Sequence, residues 1–299
     1  MFAGAHCAAT ARHQRLFFPG LLLITAILVT IIPARAADID TEHLFGFTTG
    51  SDVGSRGELE IESETVGGFG KQAGSYAALS HTFEAKFTPA DNFRVGVTTA
   101  LSYFDMTGVP GLGDRHQGGL EGFSLDLQYR LIEPGHGPFA LTIIAEPRWG
   151  RFDDISGEPV TTHGGTLTLA MDRELIAGRL FGAVNLLYDS AVSQIRASGD
   201  WQSQSNTGFS AALSGQIQPA LFVGGEIRYL RAYDGLALNA FAGQAVFAGP
   251  TMYLQINKRL SLSAAWNLQI SGRPAAGGDA LDLTHFERQE ATIRLGFHF

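Results

Sequence analysis

The sequence predicts an all-β fold: a single antiparallel transmembrane β-barrel of about twelve strands. Three observations carry this. Long segments alternate apolar and polar residues with a period of two, which gives an extended strand one greasy and one polar face. The connections between these segments alternate between short and long. The N-terminus has the layout of an export signal.

The leader comes first. Arg12 and Arg15 precede an apolar run from Leu21 to Ile32, and Ala34-Arg35-Ala36 supplies small residues for cleavage before Ala37. The run is too short to span a bilayer as a helix, which needs about 20 residues, so residues 1–36 read as a cleaved secretory signal peptide. Cys7, the only cysteine, lies within it. The mature chain is therefore expected to hold no disulfide and no thiolate metal site. Removing Arg12, Arg15 and Arg35 moves the net charge from -8 to -11. An acidic chain without a basic patch is a poor partner for nucleic acid.

Residues 37–55 precede the first alternating segment and are expected to form a periplasmic lead-in or a plug. The barrel is expected over 56–299. Its strands are placed near 56–65, 75–88, 93–104, 120–132, 139–150, 164–175, 180–190, 205–218, 221–230, 243–256, 260–271 and 288–299. In Phe123-Ser124-Leu125-Asp126-Leu127-Gln128-Tyr129-Arg130-Leu131 every odd position is apolar and every even one polar. Leu262, Ala264, Trp266, Leu268 and Ile270 alternate with Ser261, Ser263, Asn267 and Gln269 in the same way. A helix would scatter these apolar residues around its circumference, whereas a strand puts them on one face. Most segments exceed the five or six residues usual in soluble strands and suit the roughly nine to eleven of a tilted membrane strand.

Pro89–Asn92, Glu133–Pro138, Ile176–Arg179, Gln218–Ala220 and Asn257–Arg259 are tight connections. Residues 105–119, 151–163, 191–204, 231–242 and 272–287 form longer, Gly- and Asp-rich ones. Short periplasmic turns and longer external loops have this asymmetry. Aromatics cluster at both strand ends: Phe87, Phe93, Phe139, Phe297 and Phe299 on the turn side, Tyr103, Trp149, Tyr188 and Tyr229 toward the loops. Two interfacial girdles are expected from this.

If the apolar face meets lipid, the polar face lines the interior, since Arg at the membrane midplane costs about 2–4 kcal/mol. The lumen-lining candidates are Glu58, Glu60, Glu62, Glu64, Glu84, Arg94, Asp126, Arg130, Glu146, Arg148, Asp172, Glu226, Arg228, Glu290 and Arg294. They either line a water-filled path and set its selectivity or pair across strands and fill the lumen. Acids outnumber bases among them, which favours cations. Glu58, Glu60, Glu62 and Glu64 stand in a row and must be solvated or matched by neighbouring Arg. No metal site, cofactor or catalytic residue is expected. The sequence contains no P-loop, no H-E-x-x-H and no EF-hand pattern. Asp105, Asp114, Asp153 and Asp154 in loops are at most unspecific calcium ligands.

The closing run Ile293-Arg294-Leu295-Gly296-Phe297-His298-Phe299 resembles the last strand of Gram-negative outer-membrane barrels. That resemblance implies outer-membrane lipid as surroundings and recognition of Phe299 by the barrel-assembly machinery. Glu42-His43-Leu44-Phe45-Gly46-Phe47, Glu146-Pro147-Arg148-Trp149-Gly150, Asp172-Arg173-Glu174-Leu175 and Arg228-Tyr229-Leu230-Arg231-Ala232-Tyr233 are similar to an uncharacterised group of proteobacterial outer-membrane barrels of porin or transporter type. The resemblance implies the fold and carries no activity. Some barrels of this broad class are lipases with a His two residues before a lipid-facing Ser, but no H-x-S occurs here.

Three functions are consistent with the chain. The first is an outer-membrane channel or transporter passing a small-molecule solute, preferring cations. The second is a non-conducting structural or interaction barrel with working external loops. The third is an envelope hydrolase, which needs a Ser or an acid pair within hydrogen-bond reach of a His at the rim.

Overall fold

The computed structural model describes residues 40–299; the expected leader, and residues 37–39 behind it, lie outside the described residues. Twelve antiparallel strands close into one barrel, each pairing with its sequence neighbours and β1 with β12. They are β1 Leu59–Phe69, β2 Ser75–Ala90, β3 Phe93–Thr107, β4 Arg115–Ile132, β5 Ala140–Phe152 and β6 Pro159–Ile176. The second half comprises β7 Leu180–Ile195, β8 Trp201–Gln218, β9 Leu221–Asp234, β10 Ala240–Gln255, β11 Leu260–Pro274 and β12 Gln289–His298. Closure leaves no sheet edge unpaired, as a wall in hydrocarbon requires.

The wall is inverted relative to a soluble domain. Phe83, Val97, Phe123, Leu213, Trp266, Leu268, Ile270 and Ile293 point outward and are about half exposed. Glu60, Arg94, Asp126, Gln128, Asp172, Glu226 and Asn267 point inward and are buried. A continuous apolar belt of this extent is untenable in water and is what lipid solvates. The soluble-sandwich arrangement would reverse the two faces.

The expected strand positions agree closely with the structure at the turn side and fall short at the loop side. β4 begins at Arg115 instead of 120, and β6 at Pro159 instead of 164. Alternation is imposed by lipid on one face and water on the other. Beyond the bilayer that demand ends, while the backbone ladder continues. The external loops are correspondingly shorter, down to residues 108–114 and 153–158. Glu58 lies just ahead of β1 and not within it.

One ladder is broken in mid-wall. β4 and β5 pair at Ser124↔Arg148 and again at Leu127↔Ala145, with no pair between. Pro147 has no N–H to give there.

Candidate functional site: a plugged lumen

Residues 40–55 enter the barrel and fill the middle of its lumen. The segment has no ladder of its own, so its backbone must be satisfied by the wall. Glu226 on β9 accepts from the amides of Phe47 (3.0 Å) and Thr48 (2.9 Å), from the Thr48 hydroxyl (3.0 Å) and from Asn267 Nδ2 (2.8 Å). Asp172 on β6 accepts from the Thr41 hydroxyl and the Ser51 amide, both at 2.6 Å. Asn185 both accepts from the Thr49 amide and donates to its carbonyl, at 2.7 Å each. Thr142 donates to Ser51 O at 2.6 Å and Thr88 to Val53 O at 2.9 Å.

Apolar and ionic contacts complete the dock. Leu44 and Phe45 pack on Phe181, Phe222 and Tyr253, which point inward near the turn-side ends of β7, β9 and β10. Phe47 lies 4.0 Å beneath the Arg228 guanidinium, within cation–π range. Gly46 passes so close to the wall that a Cβ there would collide with Ala265 and Glu226. Glu42 is the hub: Arg94 Nη1 (2.5 Å), Lys86 Nζ (2.7 Å) and Gln128 Nε2 (2.8 Å) all donate to it. Arg130 binds Asp52 at 2.6 Å.

The row of glutamates is matched, partly by the plug. Glu58 and Glu60 share Arg94 at 3.1 and 3.0 Å. Glu62 meets Lys86 at 2.7 Å, and Glu64 meets Arg294 at 2.9 Å. His43 of the plug reaches Glu60 at 2.9 Å and Glu62 at 2.5 Å. Burial alone would lower the His43 pKa, but Glu62, Asp40 and Glu60 overcome it and hold the ring protonated well above its ordinary range. Burial raises the Asp40 carboxyl to about 7, with His43 opposing. Burial pushes Glu42 upward too, yet Lys86, His43 and Arg94 win and keep it well below the usual carboxylate range. Glu42, His43, Glu60 and Glu62 lie within 4.8 Å of one another, but Lys86, Arg94 and Arg294 already supply cations to these acids.

The remaining sequence candidates divide by partner. Arg148 pairs with Asp189 and Arg228 with Glu290. Glu84 has only Lys86, at 3.8 Å. Asp126 and Glu146 have no ion pair among the described residues. Two cavities flank the plug. One of about 980 Å³ opens at the turn side, bordered by Asp40, Glu58, Arg130 and Phe299. The other, of about 710 Å³, lies on the loop side and carries the hydroxyls of Ser80, Thr82, Thr98, Ser102 and Thr166 with Arg148. Beyond it Tyr76, Phe104, Met106 and Val109 cluster at the external mouth.

Sequence reasoning missed Asn185, Asn267, Thr142 and Ser210, whose polar side chains looked like ordinary lumenal filler. It also missed Phe181 and Phe222. The adjacent pairs Leu180-Phe181 and Leu221-Phe222 break the alternation, and that was the available signal. For the hydrolase reading, His81 accepts or donates at 2.8 Å to Thr65 and lies 3.5 Å from Ser63. All three sit on the lipid face near mid-strand, with no carboxylate on the ring. His163 points outward from β6, while Asp154 belongs to the loop before it.

Residues 37–299 match a family of unknown function, DUF6662. The chain belongs to that family. Among solved structures it is similar to the COG4313 outer membrane channel from Pseudomonas putida F1, at 12% identity and a TM-score of 0.58, over 83% of this chain and 98% of that one. It is also similar to the beta domain of the Bordetella autotransporter BrkA, at 14% identity and a TM-score of 0.51, over 81% of this chain and all of that one. These likenesses give this DUF6662 chain the fold of outer-membrane barrels. No curated protein matches it.

Proposed function

We propose that this DUF6662 barrel is an outer-membrane channel for small polar solutes, gated by its own segment 40–55 and preferring cations. The chain would reach the outer membrane of a Gram-negative bacterium with the leader cleaved before Ala37. The observation that carries the reading is the nature of the obstruction. The middle of the lumen is occupied by a stretch of chain outside the strands that is docked on the wall by hydrogen bonds and ion pairs and has a cavity on either side. A barrel filled by its own wall side chains would need no such insert.

The ion pairing argues against the glutamate row as the seat of that preference. Glu58, Glu60, Glu62 and Glu64 are neutralised in place by Arg94, Lys86, Arg294 and His43. Asp172 and Glu226 are taken up by donors of the plug, whereas Asp126 and Glu146 have no ion pair among the described residues and Glu84 has Lys86 only at 3.8 Å, so we assign the cation preference to these last three.

The test is conductance in planar bilayers with the intact chain and with a chain lacking residues 42–53. The deletion is expected to convert rare, brief openings into a steady current that favours cations. A deletion variant that folds yet stays silent would defeat the channel. The outcome would then favour a shut interaction barrel, a reading supported by the ties across the external mouth from Tyr76 to Ile155 and Lys71 to Glu287.

A further inference from the structure

Like charges face each other on the wall where the ion pair within reach, Lys86 with Glu84, is long at 3.8 Å. The β4–β5 register on either side of the break sets Asp126 across from Glu146, both inward. On the other side Asp126 stands opposite Gly96 of β3, which in turn stands opposite Lys86. A Cβ at Gly96 would collide with Glu84 Oε1 and lie 3.1 Å from Asp126 Cβ. The missing side chain thus lets Glu84 and Asp126 crowd together over the Gly96 backbone. Like charges directly opposed destabilise a sheet, and Lys86, the nearest cation, is already held at 2.7 Å by both Glu42 and Glu62.

The oxygens are also unpartnered. Asp126 is only 6% exposed, yet its Oδ1 has no hydrogen-bond partner, and neither does Glu84 Oε1. Beside them Gln128, 1% exposed, leaves its Oε1 empty while its amide nitrogen serves Glu42. A buried carboxylate oxygen left without a donor is costly, and a positively charged donor placed between these acids would relieve both that cost and their mutual repulsion. The three carboxylates do not converge within the 4.8 Å that marks the metal-like groups elsewhere in this lumen. That spread suits a cation that delivers several N–H bonds from an extended group. The cavity of about 710 Å³ begins at the next inward positions along these strands, Thr82 and Ser124, and at Thr98 and Thr166 directly across from Glu84 and Glu146, and a small organic molecule fills such a volume.

We infer that Glu84, Asp126 and Glu146 form a binding site for a small organic cation, an alkyl-diammonium or guanidinium solute, entered from the outer cavity. The inference rests on the channel reading only for the route in. The crowded carboxylates of Glu84 and Asp126 take the nitrogen, and the Ser and Thr hydroxyls hold the rest of the molecule.

The probe is putrescine, with 1,4-butanediol as its uncharged analogue and Ca²⁺ as a metal competitor, titrated calorimetrically into the full-length barrel in detergent. Saturable binding of one putrescine is expected, with no butanediol binding. Asp126→Asn and Glu146→Gln should each weaken it at least tenfold, while Glu58→Gln, at the turn-side mouth, should leave it within about twofold. Gly96→Ala, which displaces the Glu84 carboxylate and removes no charge, should also weaken it, and the heat-dependent gel shift of a folded barrel checks every variant. No saturable putrescine binding, equal binding of butanediol, stronger binding of Ca²⁺, or insensitivity to Asp126→Asn and Gly96→Ala in folded protein would each overturn the site. The channel reading fails separately: binding without current in the deletion variant removes the channel and keeps the site, and current without binding does the reverse.

Discussion

Glu226 shows how single residues hold the plug. Its carboxylate takes two backbone amides and a hydroxyl from residues 47–48. Glu226→Ala would leave those donors buried and unpaired, at about 1–3 kcal/mol each. We expect that variant to open at least tenfold more often than the parent in single-channel records; unchanged open probability would show that the contacts do not restrain the plug. The titrating residues add a pH dependence. Asp40 holds its proton up to about 7 when docked, against an ordinary 3.8. The stability it lends is full at low pH and is lost as pH rises through about 7. His43, with its pKa raised, loses its contribution in the same direction, above its ordinary 6.5. Glu42 acts oppositely, only in acid below its ordinary 4.5. Openings should therefore be more frequent at about pH 8.5 than at about pH 6, and His43→Gln should flatten that difference. Fewer openings at the higher pH would contradict the assignment.

At the scale of elements, the strands were readable because lipid and water impose a period of two that nothing else in the chain imitates. Phe123 to Leu131 declares both faces of β4 without help. The plug was not readable in the same way. Thr48, Thr49 and Ser51 carry no periodicity, since an insert satisfied residue by residue from the wall needs none. The inward charges were visible, but their partners were not. Arg94 serves Glu42 and Glu60 from different parts of the chain, and such pairing follows from closure and register, not from local pattern. Pro147 was visible only as part of a motif, and its consequence, the broken β4–β5 ladder, needed the pairing. Two causes compete for that break. If the missing N–H is responsible, Pro147→Val should restore a hydrogen bond worth about 1 kcal/mol and raise the temperature at which the folded gel band converts. If repulsion between Asp126 and Glu146 holds the strands apart, Pro147→Val should leave that temperature unchanged and Glu146→Gln should raise it.

For the whole molecule, the inverted wall and the occupied lumen are two halves of one design. Twelve strands enclose more space than wall side chains alone fill, and residues 40–55 take up the middle of it. The cavities of about 980 and 710 Å³ lie on either side of it, and under the proposed function they are the two ends of one path. The fold accounts for its strand number, its buried polar lining and its outward hydrophobics together. Under the proposed function Glu84, Asp126 and Glu146 set the cation preference, and their joint neutralisation to Gln and Asn should abolish it in the plug-deleted barrel. A selectivity that persists would place it elsewhere.

The central claim is that the plug is the gate, and a reversible tether tests it most directly. Thr48 and Ser210 place their hydroxyl oxygens 3.0 Å apart across the plug–wall boundary. In Thr48→Cys/Ser210→Cys, with the disulfide verified by mass, the oxidised barrel should be silent in a planar bilayer and should conduct once a reductant is added. Equal current before and after reduction would contradict the account.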